Sequence, residues 1–497
     1  MSHRSRAVIT LWRARTAGTT RDRAFTLYLL LMLALVTMIP VGRAVWLSAA
    51  SPEGLALLSD AMAPRATSLV VAALWAGALL VGSTRGPVVL PPLLTHALAV
   101  SDLPRFEAFR SPLLRSGVIV TTVCAVAAGV IATSLASHGL ADMAGVARFI
   151  LVSAIVGAIS TVLWLVGQVF PRAGVGGAFG IVTIGWIGTL APSAIDYAPW
   201  GWVGPAYPTG EGGPSFVALA ALALSMVALV PALMNRLGFV ALTAQAARWD
   251  SATAHATGLD FSSAMTTYQT RPHAARNIRA VRPSTHLAWT FVVRDAIGAL
   301  RTPGRLIVGV LALVAAGTLV VMAFAPGMPG WLLGCVAGLI AFAGLGPLTE
   351  GVRHAASAVA DFPLYGIGDE RLIAQHTLFP LAVTVIVTVG AVAVCSAIMG
   401  VGIGAPLVGA LALGLMTMIA RVNNALKGGL PTVLLTPVPT AAGDPMAAVR
   451  ILWALDALIL SAFAGASAVL LFEAPIFGMS VGAAVIATGI SRWRSRR

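Results

Sequence analysis

Long apolar stretches separated by short polar ones recur along almost all of the 497 residues. About 17–25 consecutive apolar residues suffice for a helix to cross a bilayer. Twelve stretches approach or reach this length, six on each side of a polar segment at residues 235–286. They are Ala24–Gly42, Ala66–Thr84, Leu113–Leu135, Ala147–Phe170, Gly174–Pro192, Ser215–Met234, Leu306–Phe324, Trp331–Leu348, Leu378–Ile398, Ile403–Ala420, Ala448–Leu471 and Pro475–Ile490. The pattern predicts an all-α polytopic membrane protein with twelve transmembrane helices.

The overall composition excludes two other classes of protein. Hydrophobic residues make up 58% of the chain, charged residues make up 10%, and the mean hydropathy is +0.90. A soluble domain carries about 25% charged residues, so a soluble enzyme is excluded. A disordered chain is excluded as well, because disordered segments are poor in large apolar residues.

Basic residues indicate which way the spans point. With a cytoplasmic N-terminus, only Arg43, Arg65 and Arg148 among the 32 Lys and Arg residues lie outside. Cytoplasmic loops are the ones enriched in Lys and Arg. The net charge of +14 therefore belongs to the inner face and requires no nucleic acid. Lys427 is the only Lys beside 31 Arg. This high ratio of Arg to Lys, with abundant Ala and Gly, is a codon-composition signature that indicates a GC-rich bacterium. We expect a multi-pass protein of the bacterial plasma membrane with both termini cytoplasmic.

The first apolar stretch has a second interpretation. An Arg-rich start precedes it, and the sequence SAA at 48–50 loosely matches a signal-peptide cleavage site. The stretch is longer than the apolar part of a usual signal peptide, so we expect it to be retained as the first span.

The outer loop Asp196–Tyr207 is rich in Trp and Tyr, and such residues favour the headgroup zone. We expect this loop to anchor at, or dip into, the outer interface.

An internal repeat divides the chain into two halves. The sequence AVSDLPRF at 99–106 recurs as AVADFPLY at 358–365, an offset of 259 residues, and each copy follows the second span of its half. We predict a first six-span unit at 1–234, a basic cytoplasmic linker at 235–286 and a second six-span unit at 287–497.

Each six-span unit begins with a Trp-containing segment that lies before its first span. In 287–305, apolar residues fall within one arc at 100° per residue, while Arg294 and Arg301 lie on the other side. The apolar arc consists of Trp289, Val292, Val293, Ala296, Ile297 and Leu300. Such a pattern predicts an amphipathic elbow helix at the membrane interface. A weaker copy lies between Leu11 and Arg23.

Residues able to carry chemistry are scarce. A P-loop requires a Lys followed by Ser or Thr, and Lys427 is followed by Gly428. We assign no catalytic, cofactor-binding or metal-ligating residue. Asp456 is the one convincing charge inside a span. It either bonds a neighbouring span or snorkels to the interface, or it has a proton or substrate role.

The two loops that contain the repeat are unusually long. The segments 85–112 and 349–377 exceed what a connection between neighbouring spans requires. We expect each loop to fold into short helices that dock a partner.

Ser111 and Pro112 are expected to begin the third span as an N-cap and first-turn pair.

A six-span unit with an elbow helix and a helical inner loop resembles the membrane subunit of type-2 ATP-binding-cassette (ABC) exporters. Two fused units are similar to the twelve-span permeases of actinobacterial ABC exporters. The resemblance covers the whole chain and rests on the elbow Leu287–Leu300, the two repeat motifs and the Gly429–Thr440 loop followed by Gly443 and Asp444.

The resemblance implies that coupling helices in the inner loops contact two ATP-binding subunits, which hold ATP and Mg and hydrolyse the ATP. The implied contact residues are Asp102, Pro104, Arg105 and Phe106, and then Asp361, Pro363 and Tyr365. Leu364 stands opposite Arg105, a departure that puts equal engagement of the two subunits in doubt. Substrate would pass along spans one, two and five of each half. These spans are apolar, so a lipophilic or amphipathic substrate such as a drug, a peptide or a lipid-like molecule is implied.

The alternative is an ion-coupled secondary carrier of the major-facilitator type. Such carriers also have six plus six spans and a long central loop. They normally carry a short basic loop of the type DRxGR after the second span, and this chain has SDLPR at 101–105 in a long loop instead. Coupling charges near the bilayer midplane are also scarce.

Overall fold

The computed structural model describes residues 24–25, 27–28, 31–32, 34–190, 193–210, 212–269, 272, 274–281, 285–358, 366–428, 430–436 and 446–495. It is 80% helix, and these residues include no strand. The predicted all-helical class is confirmed. The chain forms two compact units, Met1–Ala254 and His255–Arg497, whose boundary falls inside the predicted linker.

From Ile39 onward, the described part of the first unit contains ten α-helices, the last of which crosses the boundary at Ala254. A π-helical turn at Ala34–Met38 leads into the first helix, and a 3₁₀ segment, Gly201–Ala206, lies between the eighth and ninth. The helices are α1 (Ile39–Ala49), α2 (Pro52–Leu58), α3 (Ala63–Thr84), α4 (Pro92–Ala99), α5 (Arg105–Ala136), α6 (Met143–Val169), α7 (Pro171–Leu190), α8 (Ser193–Asp196), α9 (Ser215–Asn235) and α10 (Phe239–Thr257).

The second unit begins with short helices and continues with long apolar ones. Its helices are α11 (Phe261–Thr266), α12 (Leu287–Leu300), α13 (Pro303–Ala323), α14 (Gly330–Leu345), α15 (Glu350–Ala358), α16 (Asp369–Met399), α17 (Gly404–Leu426), α18 (Thr432–Leu435), α19 (Met446–Val469) and α20 (Pro475–Arg494).

Nine helices of the described part of the chain are long and apolar enough to cross a membrane. The number rises to eleven if two bent pairs each form one span, namely Ala34–Ala49 with α2 and α14 with α15. The helix α7 at the predicted fifth span is not among these candidates. The chain is therefore a multi-pass membrane protein, and the count of twelve stays a prediction.

The core of the first unit is built around α6. This helix packs against α3, α5 and α9. At one end of the unit, a buried cluster unites Val88, Leu98 of α4, Phe109 of α5, Leu165 of α6 and Leu242 of α10. The first part of the predicted linker thus forms a helix that shares a core with the spans and with α4.

Small residues set the helix packing in the second unit. Where α14 crosses α19, Gly334 and Gly338 face Ser461 and Gly465. A Cβ on Gly338 would overlap the Ser461 carbonyl oxygen, so only glycine permits this backbone approach. Such small residues four apart favour close packing of membrane helices.

The third predicted span begins earlier than expected. The helix α5 starts at Arg105 and carries Pro112 in its interior, so Ser111 and Pro112 are not its N-terminal pair. Pro104 occupies the N-cap position, and Glu107 lies in the first turn, where a negative charge favours the helix dipole. A proline inside a helix removes a backbone donor and crowds the carbonyl four residues earlier. The helix continues through Pro112, and Phe109 and Leu113 on either side of it are both buried in one apolar cluster. The sequence also predicts an N-cap and first-turn pair at Asp444 and Pro445, before α19, and both residues lie outside the described residues.

Candidate functional site

The loop between α3 and α5 contains the short helix α4, as expected from its length. Pro91 and Pro92 begin α4, since a proline at the first helical position has a suitable fixed φ. One face of α4 buries Leu94, Thr95 and Leu98. Its other face exposes Leu93, which is 61% accessible, and Val100 just beyond the helix is 64% accessible.

The repeat motif follows α4 directly. Asp102 and Pro104 are exposed in the turn before α5, and Arg105 is the first residue of that helix. Phe106 behaves differently, because its ring packs partly buried against the cluster around Phe109. Its amide donates to the Asn235 side-chain oxygen at 3.3 Å. The structure therefore gathers all four residues in one turn, but Phe106 contacts the core of the unit.

The loop between α14 and α16 contains α15, the second short helix. Asp361, Pro363 and Tyr365 lie outside the described residues. Every large apolar side chain of α15 is buried, and its exposed positions are His354 and Ser357. This helix thus presents a polar face where α4 presents an apolar one.

An ionic cluster fixes the start of α15. Glu350 accepts from Arg305 at the start of α13 (2.8 Å) and from Arg353 one turn further along α15 (2.5 Å). Gln269 also donates to Glu350, at 3.2 Å. Half-exposed pairs of this kind contribute about 0.2–1 kcal/mol each. Their main effect is geometric, because they attach α15 to the start of α13.

The helix α12 has the bounds predicted for the elbow. Trp289 is 62% exposed and Leu300 is 47% exposed, which suits a lipid-facing stripe. Ile297 departs from the predicted arc because it is buried at 6% exposure. Arg301 donates to the Ile278 carbonyl at 3.2 Å. Arg294 turns toward α16 instead of solvent, so the face opposite Trp289 is a packed face.

A buried Asp–His pair on that face was not predicted from the sequence. Nδ1 of His376, on α16, lies 2.7 Å from Oδ2 of Asp295, on α12. Its Nε2 lies 3.3 Å from Nη1 of Arg294. A guanidinium only donates, so Nε2 must accept and Nδ1 must carry the proton given to Asp295. His376 thus joins Arg294 and Asp295 through its two ring nitrogens.

The Asp–His pair also contacts α15. A Cβ at Gly351 would lie 2.5–2.6 Å from the Asp295 oxygens and from Nδ1 of His376. Phe291 packs edge-on against the His376 ring, with ring centroids 4.7 Å apart. Three helices, α12, α15 and α16, therefore meet on one buried polar pair. The only sequence signal was an Asp within an otherwise apolar helical face.

Asp456 lies in a second buried polar cluster. Its carboxylate accepts from Nζ of Lys427 at 2.8 Å and from Arg492, and so joins α19 to the end of α17 and to α20. Lys427 also lies 4.1 Å from the centroid of the Trp453 ring. Burial lowers the pKa of Lys427, and the hydrogen bond and charge of Asp456 oppose that effect. Asp456 thus bonds neighbouring helices.

Arg421 is a further cation that sequence reasoning missed. The helix α17 continues past the predicted end of the span at Ala420, so Arg421 lies within it. Its guanidinium carbon is 3.7 Å from the centroid of the Phe342 ring, and its Nε donates to the Phe342 carbonyl at 2.7 Å. The last carbonyls of a helix lack intrahelical donors. Arg421 supplies donors to the last turn of α14.

The aromatic segment Asp196–Tyr207 is largely packed inside the first unit. Tyr197 is 86% exposed, but Trp200 and Tyr207 are buried at 5% and 1%. The Tyr207 hydroxyl donates to the Leu58 carbonyl at 2.8 Å, and burial raises the pKa of Tyr207 to about 12. The expected interfacial anchor is therefore mainly an internal packing element.

These arrangements are polar clusters that join helices to one another. Within the described ranges, no group of three or more His, Cys, Asp and Glu residues is placed to hold a metal ion. The most distinctive surface is the apolar face of α4 beside the exposed Asp102–Pro104 turn. Comparison of the chain with protein-family models, with curated proteins and with solved structures finds no match.

Proposed function

We propose that this chain is the permease subunit of an ABC exporter, with twelve spans and ATP hydrolysis on separate subunits. The observation that carries the proposal is the short helix that follows an apolar helix and precedes one of about thirty residues, in both units. In the first unit this is α4 before α5, and in the second it is α15 before α16. A helix so placed is suited to receive a displacement from a soluble partner.

The spacing of helix ends supports an internal duplication. The helices α9 and α20 end at residues 235 and 494. Their separation equals the 259-residue offset of the sequence motif. The elbow role of α12 belongs to the same proposal, since its exposed Trp289 and Leu300 suit an interfacial helix.

The chemistry of the docking faces suggests how the partner binds. Leu93 and Val100 offer an apolar ridge, with Asp102 and Arg105 beside it, which fits a groove on an ATP-binding subunit. Two such subunits are proposed, one for each unit, in the plasma membrane of a bacterium with both termini cytoplasmic. The substrate proposed is lipophilic or amphipathic, because the spans are predominantly apolar.

Co-purification tests the partner. The tagged full-length chain, extracted from its own membranes in mild detergent, should carry a soluble protein with a P-loop. Leu93→Asp combined with Val100→Asp should reduce that association at least about tenfold, since both replacements put charge into an apolar contact. Leu140→Asp is the matched control, because Leu140 is an exposed residue at the opposite end of α5.

The rival carrier mechanism predicts a different result. An ion-coupled carrier would show transport in vesicles that depends on a proton gradient and survives ATP depletion. That result, together with no ATPase in the purified sample, would refute the proposal.

A further inference from the structure

The segment 85–88 is the first part of the connection from α3 to α4. Side chains from three helices hydrogen-bond to it. Nε1 of Trp164 donates to the Arg85 carbonyl at 2.6 Å. The Gly86 amide donates to Gln245 at 3.2 Å, and the Ser116 hydroxyl donates to the Pro87 carbonyl at 3.0 Å. A loop normally satisfies its backbone groups with water. Here α5, α6 and α10 satisfy them instead.

The next residue is held at both backbone groups by one glutamine. The Val88 amide donates to Oε1 of Gln168 at 3.3 Å, and Nε2 of Gln168 donates to the Val88 carbonyl at 3.2 Å. Nε2 of Gln168 also donates to Oε1 of Gln245 at 2.8 Å. Both glutamines are at most 4% exposed. Loss of either would leave buried polar groups without partners, which is costly.

The helix α10 is joined to both ends of the connection. Near residue 85, the Arg85 guanidinium lies 3.4 Å from the centroid of the Trp249 ring. At α4, the ring of His96 packs edge-on against Phe239, with centroids 5.4 Å apart. Leu242 of α10 and Leu98 of α4 share one buried cluster. Side-chain contacts thus join the segment 85–88 and α4 to both α6 and α10.

We propose that Gln168 and Gln245 are positioning residues that carry a displacement of α4 to the membrane helix α6. The inference rests on the proposed function, since α4 is taken as the docking helix. The exposed face of α4 makes the contact with the ATPase, and the glutamine pair, on the opposite side of the connection, transmits its movement. Binding and transmission are therefore separable by mutation.

The first measurement needs no partner. Amide hydrogen exchange of residues 85–100 is followed in the full chain for wild type, Gln168→Leu, Gln245→Leu and Gly86→Ala. A Cβ on Gly86 would overlap the Gln168 amide, so this variant displaces the Gln168 side chain while keeping both glutamines. Exchange should rise about tenfold or more in each variant, as expected for the loss of two or more buried hydrogen bonds. Ser160→Ala is the control, because the Ser160 hydroxyl bonds only within α6.

The second measurement uses the complex trapped with ATP, Mg²⁺ and vanadate. In wild type, trapping should change the exchange of α6 peptides. In Gln168→Leu and Gln245→Leu the ATPase should still bind within about twofold, while the α6 response falls several-fold. The double variant should resemble either single variant, because the two glutamines act as one unit.

The outcomes separate this inference from the proposed function. An unchanged exchange of residues 85–100, or a full α6 response in the leucine variants, would overturn the transmission role. Loss of ATPase binding in parallel with the α6 response would overturn it as well. Absence of any ATPase from the wild-type sample would refute the proposed function and the transmission role together. This holds even if the exchange of residues 85–100 shows that Gln168 and Gln245 bond this segment.

Discussion

His376 is the most informative residue for the packing of the second unit. It is 1% exposed and hydrogen-bonds Asp295, which is 9% exposed. Replacing His376 with Leu leaves the Asp295 carboxylate buried without its main partner. Arg294 is adjacent in sequence, and neighbouring residues of a helix do not face each other, so it is a poor substitute. Breaking a buried pair in this way costs about 3–5 kcal/mol.

The double variant makes the reasoning sharper. Replacing both members of a buried polar pair with apolar residues is often neutral, because no uncompensated charge remains. Asp295→Leu combined with His376→Leu should therefore be more stable than His376→Leu alone. This recovery is opposite in sign to what simple addition of two destabilising changes would give.

Thermal unfolding of the purified chain in detergent provides the assay. A loss of 3–5 kcal/mol corresponds to a fall in Tm of about 10 °C for a unit of this size. His354→Leu is the matched control, since His354 is exposed on α15 and should leave Tm within about 1 °C. A double variant that is less stable than both single variants would refute the argument that an uncompensated Asp295 causes the loss.

Two further predictions concern the other polar clusters. Asp456→Asn should destabilise the chain by about 2 kcal/mol, because hydrogen bonds to charged groups are lost; an unchanged Tm, with the exposed Glu473→Gln as control, would mean that backbone carbonyls suffice for Lys427 and Arg492. For Tyr207, the folded pKa of about 12 exceeds the usual value of about 10, so its contribution to stability is complete below pH 10 and is lost as the pH rises toward 12. Phenolate absorbance should show a titration step near pH 12 that Tyr207→Phe removes; an unchanged titration curve in that variant would contradict the burial effect.

Local patterns predicted the elements well where one physical requirement dominated. A bilayer requires long apolar helices, so hydropathy located most spans within a few residues. The amphipathic period of residues 287–300 predicted α12 with its observed bounds. The extra length of the loops 85–112 and 349–377 predicted short helices there, and these are α4 and α15. Pro112 misled the prediction of α5, because local proline signals do not include the burial of Phe109 and Leu113 in one apolar cluster on either side of it.

The sequence by itself determined a helical, multi-pass membrane protein, since this property follows from composition and hydropathy, while the internal repeat and the basic inner face stay predictions. Only the tertiary structure decided which polar groups meet. Asp295 and His376 are 81 residues apart, and Gln168 and Gln245 are 77 residues apart. A helical period states which face a residue occupies and leaves open which helix covers that face. Buried polar groups must find partners across helices, so their pairing is fixed by packing.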